Sequence, residues 1–357
     1  MKTLRNYLWR DIAWACVATW LALIALFWFF DLLGELDDTG RGRYHLPQAI
    51  LYCTLLAPGR LYDMLPIGAL IGSLLALGKL HATSEYTIMR ASGLSPWRIG
   101  LALLQGGLIV ALCTALLGEW LAPAAVTRAN ELKLAATNTV LAREFRSGLW
   151  IRQANNFVNV KEVTPQRALK GITVYRFDAQ RQLTEVWHAT SGQAQPQGSW
   201  QLREVDVTRI TPQTALTTHY PRLDWAAGIT PALLTTLMVK PEQMAMRDLL
   251  AYIRHLQNNH QQDSRYRAAF WNKAVYPFVS LIMFMLAIPF SASNRRSGGA
   301  GMRLLLGILI GLAFFLTNQL AIYTAQQLDT GGPLGALLAP LIFLGIAAIL
   351  IWRQEKR

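Results

Sequence analysis

Long uncharged apolar stretches fill both ends of the chain, and the middle follows a different rhythm. The uncharged runs are Ile12–Phe30, Met64–Gly78, Ile99–Gly118, Ala274–Asn294, Leu304–Leu328 and Thr330–Trp352. About 20 helical residues cross a hydrocarbon core, and every run but Met64–Gly78 is long enough unaided. Met64–Gly78 reaches that length with Leu61–Asp63 and Lys79–Leu80, whose Asp63 and Lys79 can snorkel to opposite interfaces. The pattern predicts six spanning helices. Lys2, Arg5 and Arg10 precede the first as in a secretory signal. Its run exceeds the usual signal core, however, and no small-residue cleavage site follows Phe27 to Asp31, so the span is expected to stay in the mature protein.

Between Glu119 and Lys273 short alternations replace the long runs. Trp200 and Leu202 alternate with Gln201 and Arg203, while Phe157–Val160 and Ile172–Phe177 read as strands. Turn signals at Asn155-Asn156, Thr164-Pro165, Asp178-Ala179, Gln195–Gly198 and Thr211-Pro212 divide them at sandwich-like spacing. Residues from about Ala142 to Lys240 are expected to form a β-sandwich or jelly roll. After Pro241, Met246, Leu249, Leu250, Ile253 and Leu256 recur at helical spacing and predict an amphipathic helix before the fourth span. Arg128–Lys133 reads as a helical extension of the third span. Residues 1–122 thus carry spans one to three, 123–267 the inserted all-β domain with flanking helices, and 268–357 spans four to six.

With 53% apolar and 15% charged residues the chain is too oily to be wholly soluble. Lys and Arg are retained on the cytoplasmic side, so the basic residues set the orientation. With the N-terminus inside, Lys2, Arg5, Arg10, Lys79, Arg90, Arg98, Arg295, Arg296, Arg303, Arg353, Lys356 and Arg357 all fall in cytoplasmic segments. The short outer loops keep only Arg41, Arg43 and Arg60. Both termini are therefore expected inside and the β domain outside. The net charge of +13 follows this division, so its cytoplasmic share is no sign of nucleic acid. Glu119–Lys273 is itself net positive, which suits either an anionic ligand or head group or an ordinary basic surface.

Catalytic signatures are missing. Gly72–Leu80 resembles a Walker A loop but has one residue too many before Gly78-Lys79, and Leu80 stands where Ser or Thr is required. His255 and His260 lack HExxH spacing, no GxSxG occurs, and Cys16, Cys53 and Cys113 form no metal or disulfide framework. No catalytic residue and no metal ligand is assigned. Asp31, Asp63, Glu119 and Lys273 lie near span ends, where charge is cheap to keep.

The connection between the second and third spans is the most informative short segment. Thr83 or Ser84 can cap a helix whose first turn carries Glu85, Gly93 supplies a stop, and Ser95-Pro96 starts the next helix. The product, residues 81–93, is a short stiff cytoplasmic helix on which Glu85 and Met89 share a face, as do Tyr86 and Arg90. It is either a docking element for a soluble partner or an ordinary loop helix.

Gly78-Lys79-Leu80, Ser84-Glu85 and Ala91-Ser92-Gly93-Leu94 resemble the coupling-helix region of the LptF/LptG permease family. Gly118-Glu119-Trp120-Leu121-Ala122-Pro123, Gly148-Leu149-Trp150, Asn155-Asn156-Phe157-Val158 and Gly171–Phe177 are similar to its LptG branch, and the likeness runs in order along the chain. The resemblance implies an inner-membrane permease that extracts lipopolysaccharide. Its expected partners are an LptF-type permease, an LptB-type ATPase dimer that alone binds ATP and magnesium, and an LptC-type bitopic protein. No cofactor is expected in the chain itself. Carried over by position, Glu85, Tyr86, Met89 and Arg90 would contact the ATPase. Spans one and five would line the substrate cavity, through Phe27, Trp28 and Asp31 on the first and Phe314, Phe315 and Asn318 on the fifth. Arg41, Arg43, Arg128 and Lys133 would supply charge.

One departure stands out. LptG members often carry lysines at the outer end of the first span, whereas here that stretch holds Asp31, Glu35, Asp37 and Asp38. Either Arg41, Arg43, Arg128 and Lys133 compensate, or metal ions bridge phosphates to these carboxylates. Two readings of other classes stay open: a membrane enzyme acting on a lipid through Asp31 or Glu119, and a permease of the mechanotransmission class, against which six spans count.

Overall fold

The computed structural model describes residues 2–40, 42–91, 96–137, 149–153, 156–163, 168–178, 180–195, 199–225, 240–259, 261–292, 300–328 and 332–356. The helices are α1 (Lys2–Leu36), α2 (Leu46–Ala82), α3 (Glu85–Ala91), α4 (Pro96–Leu116), α5 (Ala122–Thr137), α6 (Met246–Asn258), α7 (Ser264–Ala292), α8 (Ala300–Gln327) and α9 (Pro333–Glu355). Among the described residues, six helical segments are long and apolar enough to span a membrane: Asn6–Leu36, Leu46–Ala82, Leu103–Thr137, Ser264–Ser291, Ala300–Gln327 and Pro333–Glu355. A π turn, Leu117–Leu121, joins α4 to α5, so they form one long third span. In lipid the backbone must satisfy its own hydrogen bonds, which is why these apolar runs are helices rather than open strands.

The bundle is built around α2 and α7, whose most apolar windows are 67% and 61% buried, whereas those of α1 and α8 are only 17% and 22% buried. Both outer helices lean on adjoining faces of α2. A Cβ added at Gly72 would sit 2.6 Å from the Cα of Cys16, and one at Gly68 would strike the Trp20 ring, so α1 rests on a small-xxx-small stripe of α2. The Trp20 indole N–H donates to the Leu65 carbonyl at 3.1 Å within this contact. Gly307 and Gly311 of α8 meet Ile71 and Ile67 of α2 in the same way. At the far side Met283, Phe284, Leu286, Ala287 and Ile288 of α7 are buried almost completely.

Six strands follow α5: β1 (Leu149–Gln153), β2 (Asn156–Val163), β3 (Leu169–Phe177), β4 (Leu183–Ala194), β5 (Trp200–Ile210) and β6 (Ala215–Trp225). The turn predicted at Thr211-Pro212 falls between β5 and β6, and Asp178 and Gln195 directly follow β3 and β4, while Asn156 opens β2; Asn155, Thr164-Pro165, Ala179 and Pro196–Gly198 lie outside the described residues. The strands pair antiparallel in chain order, a meander among the described residues. The inserted all-β domain is therefore present, but its described strands do not cross between two sheets as a sandwich or jelly roll would. Val158, Val160, Ile172, Val174, Trp200, Leu202 and Val205 share one buried apolar cluster on a single face of the sheet.

The amphipathic helix predicted after Pro241 is α6, with Leu249, Ile253 and Leu256 buried. Met244 and Leu249 pack with Ala269, Tyr266 and Phe270, tying it to the start of α7.

Candidate functional site

Spans one and five, expected to line a cavity, are the two least buried helices and flank the same helix, α2. Trp14, Leu21, Leu26, Phe29, Phe30 and Leu33 of α1 are exposed, as are Leu312, Phe315, Leu316 and Leu320 of α8. Such contiguous apolar surface suits lipid chains or a second membrane subunit. Of the fifth-span residues singled out by resemblance, Phe315 faces outward. Phe314 is buried edge-to-face on Phe343 of α9 at 5.3 Å, and buried Asn318 donates to Asn272 of α7 at 3.3 Å, because both lie on the face turned into the bundle.

Charge gathers where α1 ends, on the side of the bundle that carries the sheet. The Arg60 guanidinium donates twice to Asp31, Nε to Oδ2 at 2.8 Å and Nη2 to Oδ1 at 2.6 Å. About one turn further along α1, Lys133 of α5 pairs with Glu35 at 2.8 Å and Asp38 at 2.9 Å. The backbone N–H of Arg43 donates to the Ala136 carbonyl at 2.7 Å, which brings the α1–α2 connection against the end of α5. Tyr44, fully buried, donates its hydroxyl to Glu35 at 2.9 Å. The rings of Tyr44 and Tyr52 lie 5.9 and 5.1 Å from the Lys133 ammonium. Phe27 is 6.0 Å from the Arg60 guanidinium, and the Trp28 indole N–H donates to the Thr54 hydroxyl at 3.4 Å.

The acidic C-terminal end of α1 is thus matched by cations of α2 and α5 within the chain. Arg43 and Arg128 are exposed beside this network, and Arg41 lies outside the described residues. Arg60, counted in the sequence only as a loop charge, was missed as a site residue. Its signal was an arginine set at the edge of an apolar span, where a charge needs a partner.

A second polar cluster lies where the third span meets α6. The Glu119 carboxylate accepts the Met246 backbone N–H at 2.8 Å, the first amide of α6. Lys273 donates to the Met244 carbonyl, and Tyr276 donates to the Asp63 carbonyl at 2.6 Å. Glu119 and Lys273 serve as struts that fix the return segment from the sheet onto the bundle. This accounts for both without chemistry.

At the opposite end α3 follows α2 through a sharp reversal at Ser84, which takes a positive φ of 61°. The Thr83 hydroxyl donates back to the Lys79 carbonyl at 3.2 Å rather than capping α3. Tyr86 and Met89 are buried in the bundle's main apolar cluster, and the Tyr86 ring lies 3.9 Å from that of His81. Glu85 is half-buried and accepts the Tyr7 hydroxyl of α1 at 3.1 Å. Ile88 is 67% exposed, while the side chain of Arg90 and the predicted stop at Gly93 lie outside the described residues. The helical face pairing Glu85 with Met89 therefore turns partly inward, and Ile88 is the apolar side chain offered to solvent.

The family model of the lipopolysaccharide export system permease LptF/LptG matches residues 6–353. The chain belongs to the LptF/LptG family. Among its relatives, the permease protein LptG of Haemophilus influenzae is 29% identical over 353 residues, covering 99% of this chain and 98% of that protein. LptG of Escherichia coli strain K12 is 28% identical over 356 residues, again covering 99% and 98%. The chain is accordingly a multispanning permease subunit of lipopolysaccharide export, and the readings as a lipid-modifying enzyme or as another class of permease are not favoured.

Proposed function

We propose that this LptF/LptG-family chain forms one half of a lipopolysaccharide cavity in the bacterial inner membrane, with both termini cytoplasmic and the antiparallel sheet in the periplasm. The carrying observation is the pair of least buried spans, α1 and α8, set on adjoining faces of α2 with Arg60 and Lys133 at the sheet end. The other half comes from an LptF-type permease, and an LptC-type bitopic protein joins at the membrane. Apolar side chains such as Leu26 and Phe315 take acyl chains; the cations beside α1 take phosphates.

ATP is hydrolysed by an LptB-type dimer that binds nucleotide and magnesium. Its closure moves α3 by contact with Ile88 and the exposed part of Glu85, with Arg90 on the same short helix. Because Glu85 holds Tyr7 of α1, and Tyr86 and Met89 are rooted in the bundle, that displacement reaches the cavity wall as a rigid-body shift.

Photocrosslinking in cells tests the reading. A photoreactive residue at Phe315 or Leu26 should capture lipopolysaccharide, while one at Leu108 or Leu341, exposed on α4 and α9, should not. Equal capture at all four positions, or none, rejects this cavity.

A further inference from the structure

The cations a phosphorylated head group requires are already occupied, by Asp31 and Glu35 of α1 and by Asp38 just beyond its end. Asp31 fills both teeth of the Arg60 fork, and Glu35 and Asp38 together fill Lys133. A guanidinium takes carboxylate and phosphate in the same bidentate geometry, and an ammonium takes either as a point charge. A phosphate monoester carries about 1.5 to 2 negative charges and three acceptor oxygens, so it competes well for both donors.

The surroundings allow exchange. The side chains of Arg60 and Lys133 remain 38% and 27% exposed, so neither pair is sealed inside the bundle and an incoming anion can reach each cation from outside it. Within these two pairs three carboxylates face two cations, so neither cation offers an unmatched charge to phosphate while they are closed. Withdrawal of α1 together with the start of the α1–α2 connection leaves Arg60 and Lys133 behind as two unmatched cations. Tyr44 and Tyr52, on the α1–α2 connection and on α2, stay with Lys133 as ring partners.

We propose that the acidic end of α1 is a tethered stand-in for lipid phosphate, and that head-group entry and release of α1 from α2 and α5 are one exchange. Arg60 thereby becomes a substrate-binding residue beside Lys133, and Asp31, Glu35 and Asp38 set the threshold for entry. The ligand class is a phosphorylated glycolipid. This rests on the proposed function above, and it adds a mechanism by which the lipid itself unlatches the gate helix.

The test uses the full chain with its partner subunits in nanodiscs, titrated with bisphosphorylated lipid A, dephosphorylated lipid A or inorganic phosphate. Asp31→Asn should bind bisphosphorylated lipid A about tenfold more tightly than wild type, and Arg60→Gln about tenfold more weakly, the worth of one charge-assisted pair. Dephosphorylated lipid A should not discriminate among the variants. Saturation by inorganic phosphate alone would mean that the exchange serves free anion and would overturn the lipid assignment. Spin labels at Leu33 and Leu51 should separate when bisphosphorylated lipid A is added.

Asp31→Glu keeps the charge and should behave as wild type, and Glu35→Gln combined with Asp38→Asn supplies a second route if Asp31→Asn fails to fold. Unchanged or weaker lipid binding on removal of the carboxylates refutes the exchange. If wild type binds no form of lipid A, the export reading itself fails instead.

Discussion

Substituting Ile88 by serine and Tyr86 by alanine separates the two faces of α3. Burying an isoleucine side chain completely is worth about 1.5–3 kcal/mol. With 67% of Ile88 exposed, about two-thirds of that, about 1–2 kcal/mol, is still available to a docked partner. Ile88→Ser should therefore weaken association with the ATPase roughly 5- to 30-fold and leave the permease folded. Tyr86 is buried against the His81 ring, and truncating a core aromatic costs about 3–5 kcal/mol. Tyr86→Ala should lower the melting temperature by roughly 5–10 °C in a chain of this size. Tryptophan fluorescence on the purified permease reads the melting, and biolayer interferometry with the ATPase reads the association. Equal melting losses in both variants with no change in association would refute the orientation of α3. So would a Tyr86→Ala variant that melts normally but no longer binds.

Gly72→Val puts side-chain carbon where the backbone of Cys16 already lies, and overpacking of about 1–3 kcal/mol should push α1 from α2. Loss of a disulfide engineered across α1 and α2 would report it. Glu119→Ala removes the acceptor of the Met246 amide, costing about 1–3 kcal/mol, and should speed hydrogen exchange at the start of α6 while the sheet amides stay protected. His219 on β6 has its pKa raised, chiefly by the hydrogen bond to Asp206 of β5 at 2.7 Å, with Glu204 at 3.0 Å adding to it. A raised folded-state pKa stabilises the pairing of these strands in acid, and the gain is lost as pH rises through it. The protection factors of the β5–β6 amides, which remove the intrinsic rise of exchange with pH, should fall from acid to alkaline pH in wild type and fall less in His219→Gln.

The six spans, the inserted β domain and α6 were legible because each depends on local pattern. An uncharged run of about 20 residues has few alternatives to a membrane helix. Trp200 and Leu202 alternating with polar residues define a half-buried strand whatever its neighbours are. Gly68 and Gly72 were an available signal for the α1–α2 contact, since small residues four apart mark close helix approach. Strand order was not legible, because hairpins of this length suit a meander as readily as a sandwich.

At the site, sequence supplied the residue types and the fold supplied their partners. The acidic run from Asp31 to Asp38 read as a departure to be met by Arg41, Arg43, Arg128 and Lys133 or by metal ions, and of these Lys133 does pair with it. Its partners Arg60 and Lys133 come from helices whose approach no local pattern records. Likewise the four-residue spacing of Glu85 and Met89 fixed a shared face but not which way it turned; Ser84 and the bundle beneath Tyr86 decided that. By itself the sequence determined how many times this protein crosses the membrane and where its soluble sheet is inserted, since both follow from the local balance of apolar burial and backbone hydrogen bonding. Only the tertiary structure decided which charges neutralise one another, because ion pairs depend on distances of about 3 Å between residues far apart in the chain.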